Sequence, residues 1–253
     1  MGNSPLISYV KLSPNNSGLR RYKIDTITIH CTAGQTTVEA LGNMFAKPSR
    51  QASANYGIGY DGRIGMYVEE KDRSWCSSSG ANDHRAITIE VSSDNKHPYA
   101  VTEKVYKALI DLCADICKRN GIKALLWRGD KSLIGQVDKQ NMTVHRWFSA
   151  KACPGDYLYS RHGDIARQVN DRLGQRVPVQ DAPVTERFTK GDYVTIANAR
   201  KIGNKVYGTT YNGGSFRMWY GKYKVLSVTG DRALIGIGVI PAAYVNVADL
   251  RKA

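Results

Sequence analysis

Two histidines and one cysteine in this sequence have the types and surroundings of metal ligands. His30 ends the alternating run Ile27-Thr28-Ile29, and His145 ends a second short apolar run. Cys153 follows His145 by eight residues and directly precedes Pro154-Gly155, a dipeptide typical of turns. Two imidazoles and one thiolate suit zinc, and three protein ligands leave one tetrahedral position open to water. This set therefore indicates a catalytic site with one zinc ion per chain.

A carboxylate on another predicted strand supports this interpretation. In Ile27–His30 and in Ile87–Val91 the branched apolar residues fall on one face, because side chains alternate along a strand. His30 and Glu90 then share the opposite face. An isolated histidine at a strand end is more often a structural residue than a ligand, so the inference depends on this shared face. The pattern predicts a sheet that packs helices on one side and holds a site on the other.

The five cysteines do not indicate a disulfide scaffold, because their number is odd and their spacing irregular. Cys113 and Cys117 are one helical turn apart on an apolar face, where small buried hydrophobes are favoured over metal ligands. Cys31 follows His30 directly and should point to the opposite, core-facing side of its strand. We therefore do not expect Cys31 to complete the zinc site as a fourth ligand.

Helical and strand patterns alternate along the first two thirds of the chain. Apolar spacing predicts helices over 36–46, 102–120 and 156–173, the second between a Thr102 cap and a Gly121 stop. A hairpin is predicted over 54–68, with Asp61-Gly62 at its turn. Residues 71–85 read as a loop, and 124–141 are left unassigned. The predicted fold class is α/β, a mixed central sheet flanked by helices.

The composition and the hydrophobic pattern of the sequence change near residue 175. Residues 175–187 contain two prolines and no periodic pattern, which indicates a linker between domains at 1–174 and 188–253. Beyond it, short β segments at 192–196, 222–228, 233–236 and 243–245 alternate with glycine-bearing turns and predict a small all-β barrel.

The charge predicts a polyanionic partner. The formal net charge is +14 and the pI about 9.6. Residues 186–253 carry 11 Lys and Arg against 4 Asp and Glu, whereas the other 185 residues carry 25 against 18, so the smaller part is charged more densely. No nucleic-acid-binding motif accompanies the charge, and no apolar run approaches the roughly 18 residues of a membrane span. Neither nucleic-acid binding nor membrane insertion is expected.

Four ordered motifs resemble the zinc-dependent N-acetylmuramoyl-L-alanine amidases of the type-2 amidase family, which is related to animal peptidoglycan recognition proteins. They are Ile27–Thr32, the Asn55-Tyr56 to Asp61-Gly62 hairpin, Ile87–Glu90, and His145 with Lys151–Gly155. The resemblance covers about residues 5–174 and implies the type-2 amidase fold, with zinc held by His30, His145 and Cys153. It also implies that Glu90, Lys151 and Tyr56 stand around the open position.

Each implied role has an alternative. Glu90 as general base could instead be a partner that fixes a ligating imidazole, Lys151 could be a solvated charge, and Tyr56 could serve packing. His84, His97 and His162 lie in polar contexts and are expected at the surface. The C-terminal part resembles bacterial SH3-like wall-binding modules, and there Trp219, Tyr220 and Tyr223 are candidate wall-binding residues.

The function implied is hydrolysis of the amide between N-acetylmuramic acid and L-alanine in peptidoglycan, with lysis of the cell wall. The N-terminal motif resembles clostridial phage and prophage endolysins, so the expected partner is the wall of a Gram-positive, clostridial host. No signal peptide is visible, which predicts synthesis in the host cytoplasm and action on the wall after release. The alternative is a non-catalytic peptidoglycan-binding protein; relatives of that kind lack the cysteine ligand, which Cys153 supplies here.

Overall fold

The computed structural model describes residues 2–175, 188–197, 199–211, 214–229 and 232–253. The chain divides into two compact units, Met1–Gln180 and Asp181–Ala253. The predicted linker at 175–187 lies outside the described residues except for Gln175. The exact bounds of the two predicted domains and of their linker therefore stay a prediction.

The first unit contains eight strands and four helices within its described residues. In chain order they are β1 (Tyr9–Val10), β2 (Asn16–Leu19), β3 (Thr26–Cys31), α1 (Val38–Phe45), β4 (Tyr56–Ile58), β5 (Ile64–Met66), β6 (Asp72–Ser74), α2 (Gly80–Asp83), β7 (Ala86–Val91), α3 (Glu103–Asn120), β8 (Met142–Val144) and α4 (Gly155–Arg172). Short 3-10 turns occur at Pro48–Arg50, Lys131–Leu133 and His145–Trp147. The three predicted long helices and the hairpin are confirmed.

The central sheet is mixed, as predicted. Its strand order is β1-β5-β4-β7-β3-β8, with β5 antiparallel to β4 and the other neighbours parallel. A separate two-stranded ladder joins β2 and β6. Because β4, β7, β3 and β8 are parallel, their carboxyl ends meet at one edge of the sheet, where loops can bring side chains together.

One face of the sheet forms the main core with α3 and α4. Thr102 caps α3 through its side chain, and Gly121 ends it in the left-handed region at φ 68°. The apolar stripe of α3 is fully buried and comprises Val105, Leu109, Leu112, Cys113, Ile116 and Cys117. The buried position of both cysteines confirms that they serve as small hydrophobes.

On the other face of the sheet, β3 and β8 carry polar side chains and are covered by the segment that carries α2. Thr28 and Thr143 share a hydrogen bond of 2.7 Å between their hydroxyl oxygens, and Asn82 donates to Thr28 and accepts from Thr143 at 3.0 and 2.9 Å. This buried network fixes residues 74–84, predicted only as loop, against the ends of β3 and β8. A segment anchored in this way can present side chains to the site with little freedom.

Gly57 shows how closely this face is packed around β4. It pairs with Glu90 of β7, and a Cβ built on it would lie 2.7 Å from the Tyr67 ring and 2.8 Å from Leu41 of α1. Any larger residue would push α1 away from the sheet, so the close approach requires glycine.

The second unit is all-β, as predicted. Its strands are β9 (Tyr193–Ile196), β10 (Arg200–Ile202), β11 (Lys205–Thr209), β12 (Ser215–Met218), β13 (Tyr223–Thr229), β14 (Arg232–Ile237), β15 (Ile240–Asn246) and β16 (Leu250–Lys252), with a 3-10 turn at Val247–Asp249. They form a five-stranded sheet, β15-β14-β13-β9-β16, and a three-stranded sheet, β10-β11-β12. Sequence patterns missed β10, β11, β12 and β16, which carry few buried residues.

Among the described residues, none of the helices combines the length and apolarity that crossing a membrane requires.

Candidate metal centre

Side chains from three distant parts of the chain meet at the carboxyl edge of the sheet. His30 lies near the end of β3, His145 begins the turn after β8, and Cys153 lies in the loop before α4. One possible ligand atom from each lies within 4.8 Å of the others. Cys153 Sγ is 3.4 Å from His30 Nδ1, and the two imidazole centroids are 5.1 Å apart.

Strand register and one tight turn produce this convergence. In the parallel pair of β3 and β8, Ile29 is opposite Val144, so each histidine follows at the corresponding end of its strand. The Cys153 loop is held by the Arg146 N–H, which donates to the Cys153 carbonyl at 3.1 Å. Gly155 has φ 78°, and a Cβ there would lie 2.9 Å from the Pro98 carbonyl oxygen. Glycine is therefore needed for the loop to deliver the thiol.

The three side chains fit a zinc ion. With Zn–N near 2.0 Å and Zn–S near 2.3 Å, a tetrahedral site separates N and S by about 3.5 Å, close to the observed 3.4 Å between His30 Nδ1 and Cys153 Sγ. Burial, and then the charge of His145, lowers the pKa of His30 to about 3, so its ring is neutral, the form that binds metals. His30 Nε2 is buried without a hydrogen-bond partner among the described residues.

Ser78 lies at the candidate site, although no sequence pattern points to it. Its hydroxyl lies 2.9 Å from His145 Nε2, which leaves Nδ1 as the ring nitrogen available to an ion. Ser78 has φ 63°, an uncommon left-handed conformation for a residue with a side chain. Only the fold of residues 74–84 over the sheet brings Ser78 to His145.

Glu90 lies on β7 directly beside His30 on β3. Its Oε2 is buried with no hydrogen-bond partner in the described structure, and Cys76 Sγ is 3.9 Å from Oε1. Burial, followed by the charge of Cys31, raises the pKa of Glu90 to about 8, while Arg50 opposes the shift. A ligand atom of His30 also lies within 4.8 Å of Cys76 and Glu90. A carboxylate oxygen without a hydrogen-bond partner, beside a candidate metal ligand, is available to exchange a proton with a water molecule.

Lys151 lies at the rim of this site. It is exposed, and its charge contributes, after burial, to lowering the pKa of His145. This proximity to a candidate ligand is compatible with either predicted role, that of an oxyanion partner or that of a solvated charge.

Tyr56 is not at the site, which corrects the prediction that it contacts substrate. It pairs with Ile89 and so shares the core face, opposite His30 and Glu90. Its hydroxyl accepts a hydrogen bond from the Ser4 N–H at 2.9 Å and donates one to Glu70 at 2.7 Å. The alternative role in packing is the one that the structure supports.

Cys31 packs against the core, as expected, yet it also contacts the site. Its side chain packs against the core, while its backbone N–H donates to Cys153 Sγ at 3.4 Å. Within the described residues, neither group able to hold a metal includes Cys31. A fourth protein ligand is thus not indicated.

Of the three histidines expected at the surface, only His97 is exposed. His84 and His162 are buried, and His162 packs against Trp127 with its Nδ1 donating to the Leu158 carbonyl at 2.7 Å. The polar residues around them in sequence concealed this, because the buried face of helix α4 carries polar as well as apolar residues, including Arg161 beside His162.

The C-terminal candidates also divide between surface and core. Trp219 and Tyr220 are exposed by 67% and 56% of their surface. Tyr223 is 2% exposed within the core of the second unit, and its hydroxyl accepts a hydrogen bond from the Trp219 N–H at 3.1 Å. Tyr223 therefore cannot contact a wall polymer, and its prediction as a binding residue was wrong.

The fold and this cluster define a mixed α/β protein with a candidate metal centre at the edge of its parallel strands. Residues 20–156, more than half of the chain, match the profile of the family described as N-acetylmuramoyl-L-alanine amidase. The chain belongs to that family.

Solved structures with a similar fold include amidases and endolysins. A mutant endolysin from Bacillus subtilis is 18% identical, with a TM-score of 0.48, covering 64% of this chain and 97% of the other. The hydrolase AmiA of Staphylococcus aureus, in complex with its ligand, is 18% identical, with a TM-score of 0.48 and coverages of 68% and 84%. The endolysin N-acetylmuramoyl-L-alanine amidase LysCS from Clostridium intestinale is 15% identical, with a TM-score of 0.43 and coverages of 67% and 98%. No curated protein sequence matches significantly.

Proposed function

We propose that this chain is a zinc-dependent amidase that hydrolyses the bond between the lactyl group of N-acetylmuramic acid and the first L-alanine of the peptidoglycan stem peptide. The observation that carries the proposal is the convergence of His30, His145 and Cys153 beside Glu90, whose Oε2 is buried with no hydrogen-bond partner among the described residues. Membership of the amidase family supports the substrate class.

The chain's own residues divide the chemistry between them. A zinc ion held by the three ligands would lower the pKa of a water molecule and polarise the scissile carbonyl. Glu90 accepts the proton of the attacking water and returns it to the leaving amine. Glu90 must be ionised to do so, and the positive charge of Arg50 favours the ionised form against the effect of burial. Lys151, near His145, would stabilise negative charge that develops on the carbonyl oxygen.

The second unit is proposed to act as an SH3-like wall-binding domain. Its exposed aromatic residues lie beside cations: the Arg217 guanidinium is 3.4 Å from the Trp219 ring centroid, and that of Arg232 is 3.7 Å from the Tyr244 ring centroid. Together with the net charge of +7 over residues 186–253, these pairs suit an anionic wall polymer. The proposed biological role is that of an endolysin or autolysin of a Gram-positive, clostridial cell, made in the cytoplasm and active on the wall after release.

Mass spectrometry of purified peptidoglycan after digestion tests the activity. The expected products carry new lactyl carboxyl groups on the glycan and new N-terminal alanine on free stem peptides, and removal of zinc with a chelator should abolish both. New reducing sugar ends, or cleavage within the peptide, would assign a different bond. Binding without any new product would support the non-catalytic alternative, which the presence of Cys153 disfavours.

A further inference from the structure

Three of the five cysteines gather around the candidate metal centre. Cys31, Cys76 and Cys153 are partly buried, whereas Cys113 and Cys117 are fully buried in the core. Cys31 and Cys153 are 122 positions apart in sequence, yet the Cys31 backbone N–H donates a hydrogen bond to Cys153 Sγ with an N···S distance of 3.4 Å. A second cysteine thus lies next to a site that needs only one thiolate.

We propose that Cys31 and Cys153 form an oxidisable thiol pair, whose disulfide withdraws Cys153 from the metal centre. The inference rests on the proposed zinc-dependent function and adds a modification site to it. Because the Cys31 backbone is already in contact with the Cys153 sulfur, the two residues are close enough to be joined without unfolding of the chain.

The chemistry balances with a peroxide as the oxidant. The sulfur of one cysteine of the pair attacks one oxygen of hydrogen peroxide, the O–O bond breaks, and a sulfenic acid and one water molecule form. The sulfur of the other cysteine then attacks the sulfenic sulfur, the S–S bond forms, and the hydroxyl leaves as a second water. Two thiols lose two electrons in total, and the peroxide gains them.

Geometry favours this pair over the other cysteines. Cys76 contacts the site through the Glu90 carboxylate, whose negative charge repels a thiolate. This contact does not pair Cys76 with another cysteine. Cys113 and Cys117 are at 0% exposure within the core, so a dissolved oxidant cannot reach them in the folded protein.

Zinc and the disulfide exclude one another. A zinc ligand is a thiolate, and a sulfur engaged in a disulfide no longer carries that charge. Bound zinc should therefore protect Cys153 from oxidation, while loss of zinc exposes the pair. His30 and His145 alone would then hold an ion only weakly.

The test treats the full-length chain, with and without zinc, with hydrogen peroxide and maps disulfides by peptide mass spectrometry under non-reducing conditions. The metal-free protein should lose two of its five thiols, yield a Cys31–Cys153 linked peptide, and bind zinc at least tenfold more weakly in a competition with a chromophoric chelator. Dithiothreitol should restore both thiols and zinc binding. Zinc-loaded protein should oxidise at least tenfold more slowly.

Two substitutions give matched controls. Cys31→Ser keeps all three candidate ligands and should form no disulfide, so reductant-reversible loss of zinc binding should disappear. Cys76→Ser should behave as the unsubstituted chain does. A link between Cys76 and Cys153, or equal reversible loss of zinc binding in Cys31→Ser, would overturn the inference. The disulfide mapping needs no substrate. It can therefore contradict the thiol-pair proposal while the amidase proposal stays valid, and absence of amidase activity would not change the disulfides found.

Discussion

The carboxylate of Glu90 is buried, and burial disfavours its negative charge. Such a position lowers the stability of the fold, which is expected where the group serves in proton transfer. Burial raises the pKa of Glu90 to about 8, and its Oε2 has no hydrogen-bond partner among the described residues. Such a group accepts protons more readily than an exposed carboxylate. The position beside His30 makes it the candidate general base at the scale of single residues.

Glu90→Gln tests this role. The amide has nearly the same shape but cannot accept the proton, so we expect a loss of at least about a hundredfold in wall hydrolysis, with zinc content unchanged by elemental analysis. Glu39→Gln is the control, since Glu39 is exposed on α1 and pairs with Arg63. Near-normal hydrolysis by Glu90→Gln would place the base elsewhere, and a loss of zinc would indicate a supporting role for Glu90 in metal binding.

Ser78 is expected to orient His145 through its 2.9 Å contact with Nε2. Partners of this kind contribute about 10-fold to 100-fold in metal affinity, so Ser78→Ala and Ser78→Gly should both bind zinc at least about 10-fold more weakly in chelator competition. Glycine adopts the observed φ of 63° without strain, so Ser78→Gly should be the more stable of the two towards denaturant. Unchanged zinc affinity in both variants would rule out the orienting role.

At the scale of elements, β4 is held by a buried polar cluster rather than by the site. Arg119 of α3 pairs with Glu70, and Glu70 accepts the Tyr56 hydroxyl hydrogen bond. Tyr56→Phe removes one hydrogen bond to a charged group, which should lower the free energy of unfolding by about 1–3 kcal/mol. Hydrolysis per folded molecule should not change. A large fall in kcat with unchanged stability would return Tyr56 to the catalytic group.

Helix α4 makes stability sensitive to acid through His162. Burial lowers its pKa from 6.5 to about 4, so between these values the unfolded chain binds a proton that the folded chain does not. Stability is therefore lost as pH falls from about 6.5 to 4, by about 3 kcal/mol from this group alone.

Denaturant unfolding across that pH range, in the presence of a chelator, measures the effect. His162→Gln should show a shallower loss of stability towards acid than the unsubstituted chain, whatever its stability at neutral pH. His30 is buried as well, and its pKa is lowered to about 3, so part of the acid sensitivity should persist in the variant. Equal pH slopes in the two proteins would show that His162 is not the source.

At the scale of the whole molecule, the second unit has its own core and a dense positive charge. Residues 186–253 alone should sediment with purified cell walls, and the bound fraction should fall as salt is added, since screening weakens charge attraction. Trp219→Ala should reduce binding several-fold, whereas Ile202→Ala, which also removes an exposed apolar side chain, should not. Failure to sediment would remove the targeting role and leave the amidase proposal intact.

The sequence by itself determined the local elements and much of the candidate centre. Alternation along β3 and β7 placed His30 and Glu90 on one face, and the caps Thr102 and Gly121 bounded α3, because these properties depend on residues a few positions apart. The all-β character of the second unit followed from its short strands and turns in the same way.

Only the tertiary structure decided which side chains touch across the chain. The register of β4 against β7 assigned Tyr56 to the core, the cover of residues 74–84 brought Ser78 to His145, and the loop before α4 brought Cys153 to Cys31. His162 is buried because it lies on the inward-facing side of α4. These contacts join segments tens of residues apart, and their geometry is set by packing of the whole sheet and its helices, which no local periodicity encodes.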